Sequence, residues 1–485
     1  MSSIVGLARC AEARYPELPP FSPSRAFPEM AFLPDNSLNR REENCVYAAV
    51  RRSLYLAGLD AERFGSASWN PLGAFVKPGS RVLINPNLVV HNYDESTRDC
   101  VTTHGAIIRA VLDYVYLAGG PTCHIVIADA PEQVAHFGQV LDQTGLPEIL
   151  LFYEKQLDYQ IEVHDLRTVA SYTDGKSSFL PPAKRLSGDP LGYVVVDLEG
   201  HSELEPITRD DTRFGIDAYS RDMLQGHHKP GRHEYVIART ALEADVLINV
   251  PKMKTHQKAG LTCALKNLVG INGCKDWLPH YRLGSPKAGG DEHPDGEWLV
   301  GANRAVRGML NRRSRFLWSV ASRIWHSVVR PAMPTPPQRR SGAWYGNDTI
   351  WRTILDLNRI LSFANREGRM SAHKQRQTFC VVDGVIAGEG NGPFEPTARK
   401  AGLILAGDDF AAIDAVTGQL MGYDLRRVPL LARFYEPPGS YWFTEFSGEN
   451  VRVATDSGAL SLEELPSLDF VPPPGWARHV ERGGS

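Results

Sequence analysis

Cysteine is scarce: seven residues among 485, at positions 10, 45, 100, 123, 263, 274 and 380, with no two spaced as C-x-x-C. An odd, scattered set excludes a disulfide framework, and the missing close pairs leave a zinc knuckle or an iron–sulfur cluster without local support. Long apolar runs are lacking as well. No stretch reaches the roughly 18 uncharged apolar residues of a membrane span. The first thirty residues hold Arg9, Glu12, Arg14 and Glu17 and no apolar core of the signal-peptide kind, so a cytoplasmic protein is expected. Charge of one sign is also missing: 53 Lys plus Arg stand against 56 Asp plus Glu, a net −3, without the basic excess of a general nucleic-acid binder. G-x-S-x-G, the Walker loop, G-x-G-x-x-G after a strand and H-E-x-x-H do not occur.

What is present is an ordinary globular composition, 42% hydrophobic, in a chain long enough for roughly two to three domains' worth of core. Residues 1–40, rich in Pro and Ser, read as an irregular arm. Val46, Val50 and Leu54 recur at helical spacing, and Lys77-Pro78-Gly79 marks a turn before a β-branched run over 81–85. Thr102-Thr103-His104 opens a periodic helix (Ile107, Val111, Val115) that stops at Gly119-Gly120, and a strand over 124–128 follows with Asp129 at its end. The same alternation returns at 244–250, then a Lys-rich loop over 251–258, a helix over 260–269, a strand over 379–382 ending at Asp383-Gly384, and a strand over 402–406 before Gly407-Asp408-Asp409 as a helix cap. Short apolar strands alternating with helices predict an α/β fold: mostly parallel sheet covered by helices, with 41–300 and 345–465 as core in one or two lobes.

Residues 301–344 interrupt this pattern and 466–485 read as a Pro-rich tail. Between 301 and 340 stand nine arginines and no acidic residue, with Phe316, Val320, Ile324 and Val328 on one helical face. Such a basic amphipathic insertion suits an anionic membrane surface or a protein partner, or else packs on its own domain.

Parallel sheets gather functional groups where strands end, because loops and helix N-termini converge there. The candidates are therefore Asn85, Asn87, Thr103 and His104 after the first strand, Asp129 after the second, and Lys252, Lys254 and His256, with Lys266 and Asn267, after the third. Asp383, Glu389 and Asn391 follow the fourth. Lys252, Lys254 and His256 share one face if their segment is extended, making a cationic pocket for phosphate or carboxylate in which a desolvated lysine acts as a base or forms a Schiff base. A solvated basic loop is the competing reading. Asp129, Asp383, Glu389 and Asn391 offer oxygen ligands for magnesium, although the glycines at 384, 388, 390 and 392 also suit plain tight turns. His227, His228 and His233 cluster without a carboxylate or thiol at ligand spacing.

The wording Val82-Leu83-Ile84-Asn85-Pro86-Asn87-Leu88, Thr102-Thr103-His104, Ala244 to His256, Ala264-Leu265-Lys266-Asn267-Leu268-Val269-Gly270 and Asp383-Gly384 with Glu389-Gly390-Asn391-Gly392-Pro393 resembles the bacterial and archaeal domain of unknown function 362 family over about 75–425. Asn272 to His280, Arg282 and Gly289 to Glu292 are similar to its long form, which adds His280 and Arg282 to the candidates. Many members of that family carry a ferredoxin-like module with Cys motifs. Its absence here implies no iron–sulfur cluster and chemistry other than electron transfer.

The expectation is an isomerase- or transferase-type enzyme binding a phosphate- or carboxylate-bearing small molecule. Lys252, Lys254, His256 and His280 would be catalytic; Asn85, Asn87, Thr103, His104, Lys266, Asn267 and Arg282 would bind ligand or cofactor. The cofactor stays open between a magnesium ion and a phosphate-bearing group. The competing expectations are a non-catalytic partner- or membrane-surface protein working through 301–340, and a metalloprotein.

Overall fold

A computed structural model describes residues 3–91, 95–171, 184–216, 221–296 and 341–483. Its centre is an 11-stranded sheet. The strands are β1 (Ser3–Arg9), β2 (Arg81–Pro86), β3 (His124–Asp129), β4 (Glu162–Asp165), β5 (Val246–Val250), β6 (Lys252–His256), β7 (Gly260–Thr262), β8 (Gln377–Asn391), β9 (Glu395–Gly407), β10 (Val451–Thr455) and β11 (Gly458–Leu460). They run in the order β11-β10-β1-β9-β8-β5-β2-β3-β4, with β6 on the far half of β8 and β7 beside β6. The block β8-β5-β2-β3-β4 is parallel throughout, as the strand–helix–strand pattern predicts, while the hairpin β8-β9 and the pair β1-β9 are antiparallel.

Alternation along each strand sends side chains to two separate cores. Val82 and Ile84, Ile125 and Ile127, Val246 and Ile248 face one layer, whereas Leu83, Val126 and Leu247 face the other. The first layer is filled by the helices Cys45–Leu56, Gly105–Gly119 and Leu146–Leu157, the second by Ile350–Phe363 and Phe410–Leu420. Burial on both faces explains why the central strands read as unbroken apolar runs; each fully buried Val, Leu or Ile contributes about 1.5–3 kcal/mol. Local signals fix the helix starts. Asn44 accepts from the Tyr47 amide, His104 from the Ala106 amide, and Asp409 from those of Ala411 and Ala412.

Five expectations need correction. The first residues are not irregular: Ser3–Arg9 is a strand pairing with both β9 and β10. The Lys-rich segment is strand β6 rather than a loop, because its backbone pairs in parallel with β8, Lys252 opposite Asp383 and Lys254 opposite Gly388. Residues 260–269 are the strand β7 and a single turn of helix at Ala264–Asn267, not one long helix. Nor does the strand after 379 end at Asp383; β8 runs on to Asn391, and its glycine-rich stretch pairs with β9 up to Asn391 opposite Glu395. The C-terminal stretch also contributes to the core, with Phe470, Trp476 and Val480 buried. The basic insertion at 301–340 lies outside the described residues.

Candidate functional site

The residues expected at the strand ends divide into a structural knot and a cavity wall. Lys252 and Asp383 form the knot. Both are fully buried, with Lys252 Nζ 3.0 Å from Asp383 Oδ2 and donating to the Tyr15 hydroxyl at 2.6 Å. Tyr15 donates in turn to Asp383 Oδ1 at 2.6 Å, and the His104 amide donates to Oδ2 at 2.9 Å. His104 stacks on the Tyr15 ring at 3.9 Å, and its pKa is held well below the ordinary value by burial and by Lys252 and Arg98. Both carboxylate oxygens and the ammonium are thus occupied by protein. The group ties the N-terminal segment, β6 and β8 together.

An amide network stands beside it. Asn267 Nδ2 donates to the Asn85 carbonyl and to Asn249 Oδ1, and its Oδ1 accepts from Asn87 Nδ2. Asn85 Nδ2 donates to the Ala128 carbonyl, while Thr103 bridges the Asn87 amide and the Val250 carbonyl. Asn85, Thr103 and Asn267 therefore stitch β2, β3, β5 and the helix Ala264–Asn267 to one another. Arg282 is held by Asp291 and Asp348 at 3.3 and 3.4 Å, away from the cavity lining.

Expected metal ligands are not brought together. Asp129 accepts from the Leu88 amide, Asp383 belongs to the knot, Glu389 pairs with Arg399, and Asn391 bonds Gln257 and Glu395. Among the described residues no group of three or more His, Cys, Asp or Glu side chains could hold a metal ion. His228 Nε2 donates to the Trp277 carbonyl at 2.8 Å and His233 meets Glu205, so that cluster is spent on the fold.

A cavity of about 190 Å³ is lined by Asn87, Glu132, Lys254, His256, Lys258, Thr262, Lys266, Lys275 and His280 among others. Four lysines and two histidines face one carboxylate. Larger concavities exist, such as one of about 830 Å³ at Leu18, Asp35 and Arg40, but they lie on the surface and gather no such set.

Strand β6 delivers Lys254, whose Nζ donates to Asn87 Oδ1 at 2.9 Å and to the Val101 carbonyl at 2.5 Å. Both partners are neutral. At 1% exposure, burial first and then Lys266 and Lys252 push its pKa well below that of an ordinary lysine, which favours a neutral amine. His256 is also held well below its usual value, by burial and then by Lys266, Lys258 and Lys254. Its Nδ1 accepts from the amides of Lys258 (3.1 Å) and Ala259 (3.2 Å), which assigns the proton of the neutral ring to Nε2. His280 is the opposite tautomer: Nδ1 lies 2.8 Å from the Leu278 carbonyl, so Nε2 is its acceptor nitrogen. Lys266 stands on the helix Ala264–Asn267, its pKa lowered to about 8 chiefly by burial, with Glu132 opposing and Lys275 and Lys258 reinforcing. Asp129 sits behind the wall, raised to about 6 by burial against the pull of Lys275.

Of the expected residues, the structure groups Asn87, Lys254, His256, Lys266 and His280 at one cavity. Sequence reading passed over Lys275, Glu132 and Thr262. Glu132 follows Asp129 by three residues and was within reach of the strand-end rule; Lys275 and Thr262 carry no such signal, because a turn after the helix and the short strand β7 bring them in.

The model of a family described as a domain of unknown function (DUF362) matches residues 211–419, a little under half of the chain. A thylakoid-associated protein of Synechocystis sp. is 23% identical over 363 residues, which cover 74% of this chain and 69% of that relative. No helix among the described residues is long and apolar enough to cross a membrane. The matched segment contains β5, β6, the four cavity lysines and the β8-β9 hairpin.

Proposed function

We propose that this protein is an enzyme that binds a phosphate- or carboxylate-bearing small molecule in the Lys/His cavity and moves protons on it, as isomerases and many transferases do. The observation that carries the reading is the charge imbalance of the wall: Lys254, Lys258, Lys266 and Lys275 with His256 and His280, against Glu132 alone. Cations crowded in a poorly hydrated space repel one another and gain from an anionic ligand. A second feature agrees with it. Among the described residues Thr262 Oγ1 is buried in the wall without a hydrogen-bond partner, a cost a bound polar ligand removes.

In this reading Lys258 and Lys275 hold the anionic group. Neutral Lys254 acts as a base near neutral pH, and the His256 Nε2–H donates a hydrogen bond to an oxygen that gains charge during the reaction. Inorganic phosphate is expected to raise the melting temperature of the wild-type protein. The stabilisation should shrink several-fold in Lys275→Met with His256→Ala, while Lys155→Met, at an exposed lysine, leaves it intact. Equal phosphate stabilisation in all three proteins would remove the cavity from the account. Mass spectrometry of small molecules released from the native protein should find a phosphate or carboxylate compound.

A further inference from the structure

The five lysines around β6 differ in what their Nζ atoms touch. Lys252 binds Asp383 and Tyr15, Lys254 donates to Asn87 and the Val101 carbonyl, and Lys275 gives one of its three protons to the Val269 carbonyl at 2.8 Å. Lys258 lies 5.5 Å over the Tyr281 ring. Lys266 is different: among the described residues its Nζ has no hydrogen-bond or ion-pair partner, and its side chain is half-buried in the cavity wall. The helix Ala264–Asn267 that carries it is held rigidly. Asp414 accepts from the amides of Ala264 and Leu265, and Asn267 is locked in the amide network.

We infer that Lys266 is the nucleophile of the cavity and condenses with the carbonyl group of an aldehyde- or keto-bearing acid to form an imine. This rests on the reading of the cavity as an anion site and narrows its ligand to a class in which an acid group lies near a carbonyl. Lys258 and Lys275 flank Lys266 as the two other cations acting on it, and serve the acid group. The carbonyl carbon is presented to Nζ, and the unpartnered Thr262 hydroxyl and the His256 Nε2–H face the same space. The step balances without an oxidant. A C–N bond forms as the C–O π pair moves onto oxygen; the carbinolamine then expels that oxygen as water, and both amine hydrogens leave with it. The resulting imine, once protonated, draws electrons from the adjacent carbon, which is how an amine prepares proton removal there. The lowered basicity of Lys266 supports this role, since an amine with a pKa about 8 is roughly 10% neutral at pH 7, some hundreds of times more than an ordinary lysine.

Glyoxylate, a small aldehyde acid, is the probe. The full-length protein is treated at pH 7 with glyoxylate and cyanoborohydride, which fixes imines as stable amines, and labelled lysines are located by peptide mass spectrometry. Lys266 should be labelled at least about tenfold faster than the exposed Lys155, and inorganic phosphate should slow labelling at Lys266 only. Lys266→Arg should keep the phosphate-induced rise in melting temperature and lose the adduct. Labelling of Lys266 no faster than Lys155, with phosphate stabilisation intact, would overturn the nucleophile and leave the anion site standing. Rapid labelling of Lys266 that phosphate neither slows nor accompanies with stabilisation would overturn the acid group of the proposed substrate class.

Discussion

Lys252 and Lys254 leave the same strand two residues apart, yet their ammonium groups meet different surroundings: a carboxylate and a phenol for the first, two neutral acceptors for the second. The difference predicts opposite responses to substitution. Removing one partner of a buried ion pair strands the other charge, so Asp383→Asn should cost about 3–5 kcal/mol in urea denaturation. Lys254→Met removes a buried amine that lacks a counter-charge, and stability should fall by less than about 1 kcal/mol or rise. The reverse order would contradict the separation of knot from cavity. Residue types alone could not have told these lysines apart. Both follow a buried strand and both look cationic, and the partner that decides the matter, Tyr15, comes from a Pro-rich segment 237 positions away.

At the scale of elements, the cavity depends on close backbone approach between β6 and the β8-β9 hairpin. Gly392 lies so near β6 that a Cβ there would stand 2.0 Å from the Thr255 carbonyl oxygen. Gly392→Ala should therefore destabilise the fold by more than about 2 kcal/mol and weaken phosphate stabilisation, whereas Gly200→Ala, with nothing within 4 Å of the new methyl, should stay within about 0.5 kcal/mol. Equal effects of the two would show that the hairpin does not press on β6. The parallel block was legible because doubly buried strands of five or six residues alternate with capped helices. What escaped were elements defined by pairing instead of by pattern. β1 is a short apolar run before a Pro-rich stretch, β6 looks too polar for a strand, and the glycines of β8 read as a loop because nothing local announces the partner strand β9.

For the whole molecule, buried carboxyl groups shape the response to pH. Asp414, fully buried among the amides of Ala264 and Leu265 and beside Cys263, has its pKa raised to about 7, chiefly by burial. Between its ordinary value near 4 and about 7 the folded state keeps a proton that the unfolded chain has lost. This group's contribution is therefore complete below pH 4 and is lost as pH rises through 7, by up to about 4 kcal/mol. Comparing denaturation at pH 5 and pH 8 should show Asp414→Asn losing less stability than the wild type over that interval. An identical loss in both proteins would refute the assignment. The α/β architecture could be read from strand and helix order, but the gathering of Asn87, Lys254, His256, Lys266 and His280 with Lys275 and Glu132 arises only when β2, β3, β6 and the turn after Ala264–Asn267 meet.

The most direct measurement is a crystal of the full-length protein soaked with tungstate, an anion that phosphate sites accept and that anomalous scattering locates. The account predicts a peak inside the cavity within hydrogen-bonding distance of Lys258 or Lys275. Tungstate bound only at surface arginines, such as Arg352, Arg426 and Arg433 around the separate concavity beside His479, with nothing between Lys254 and Lys275, would contradict it.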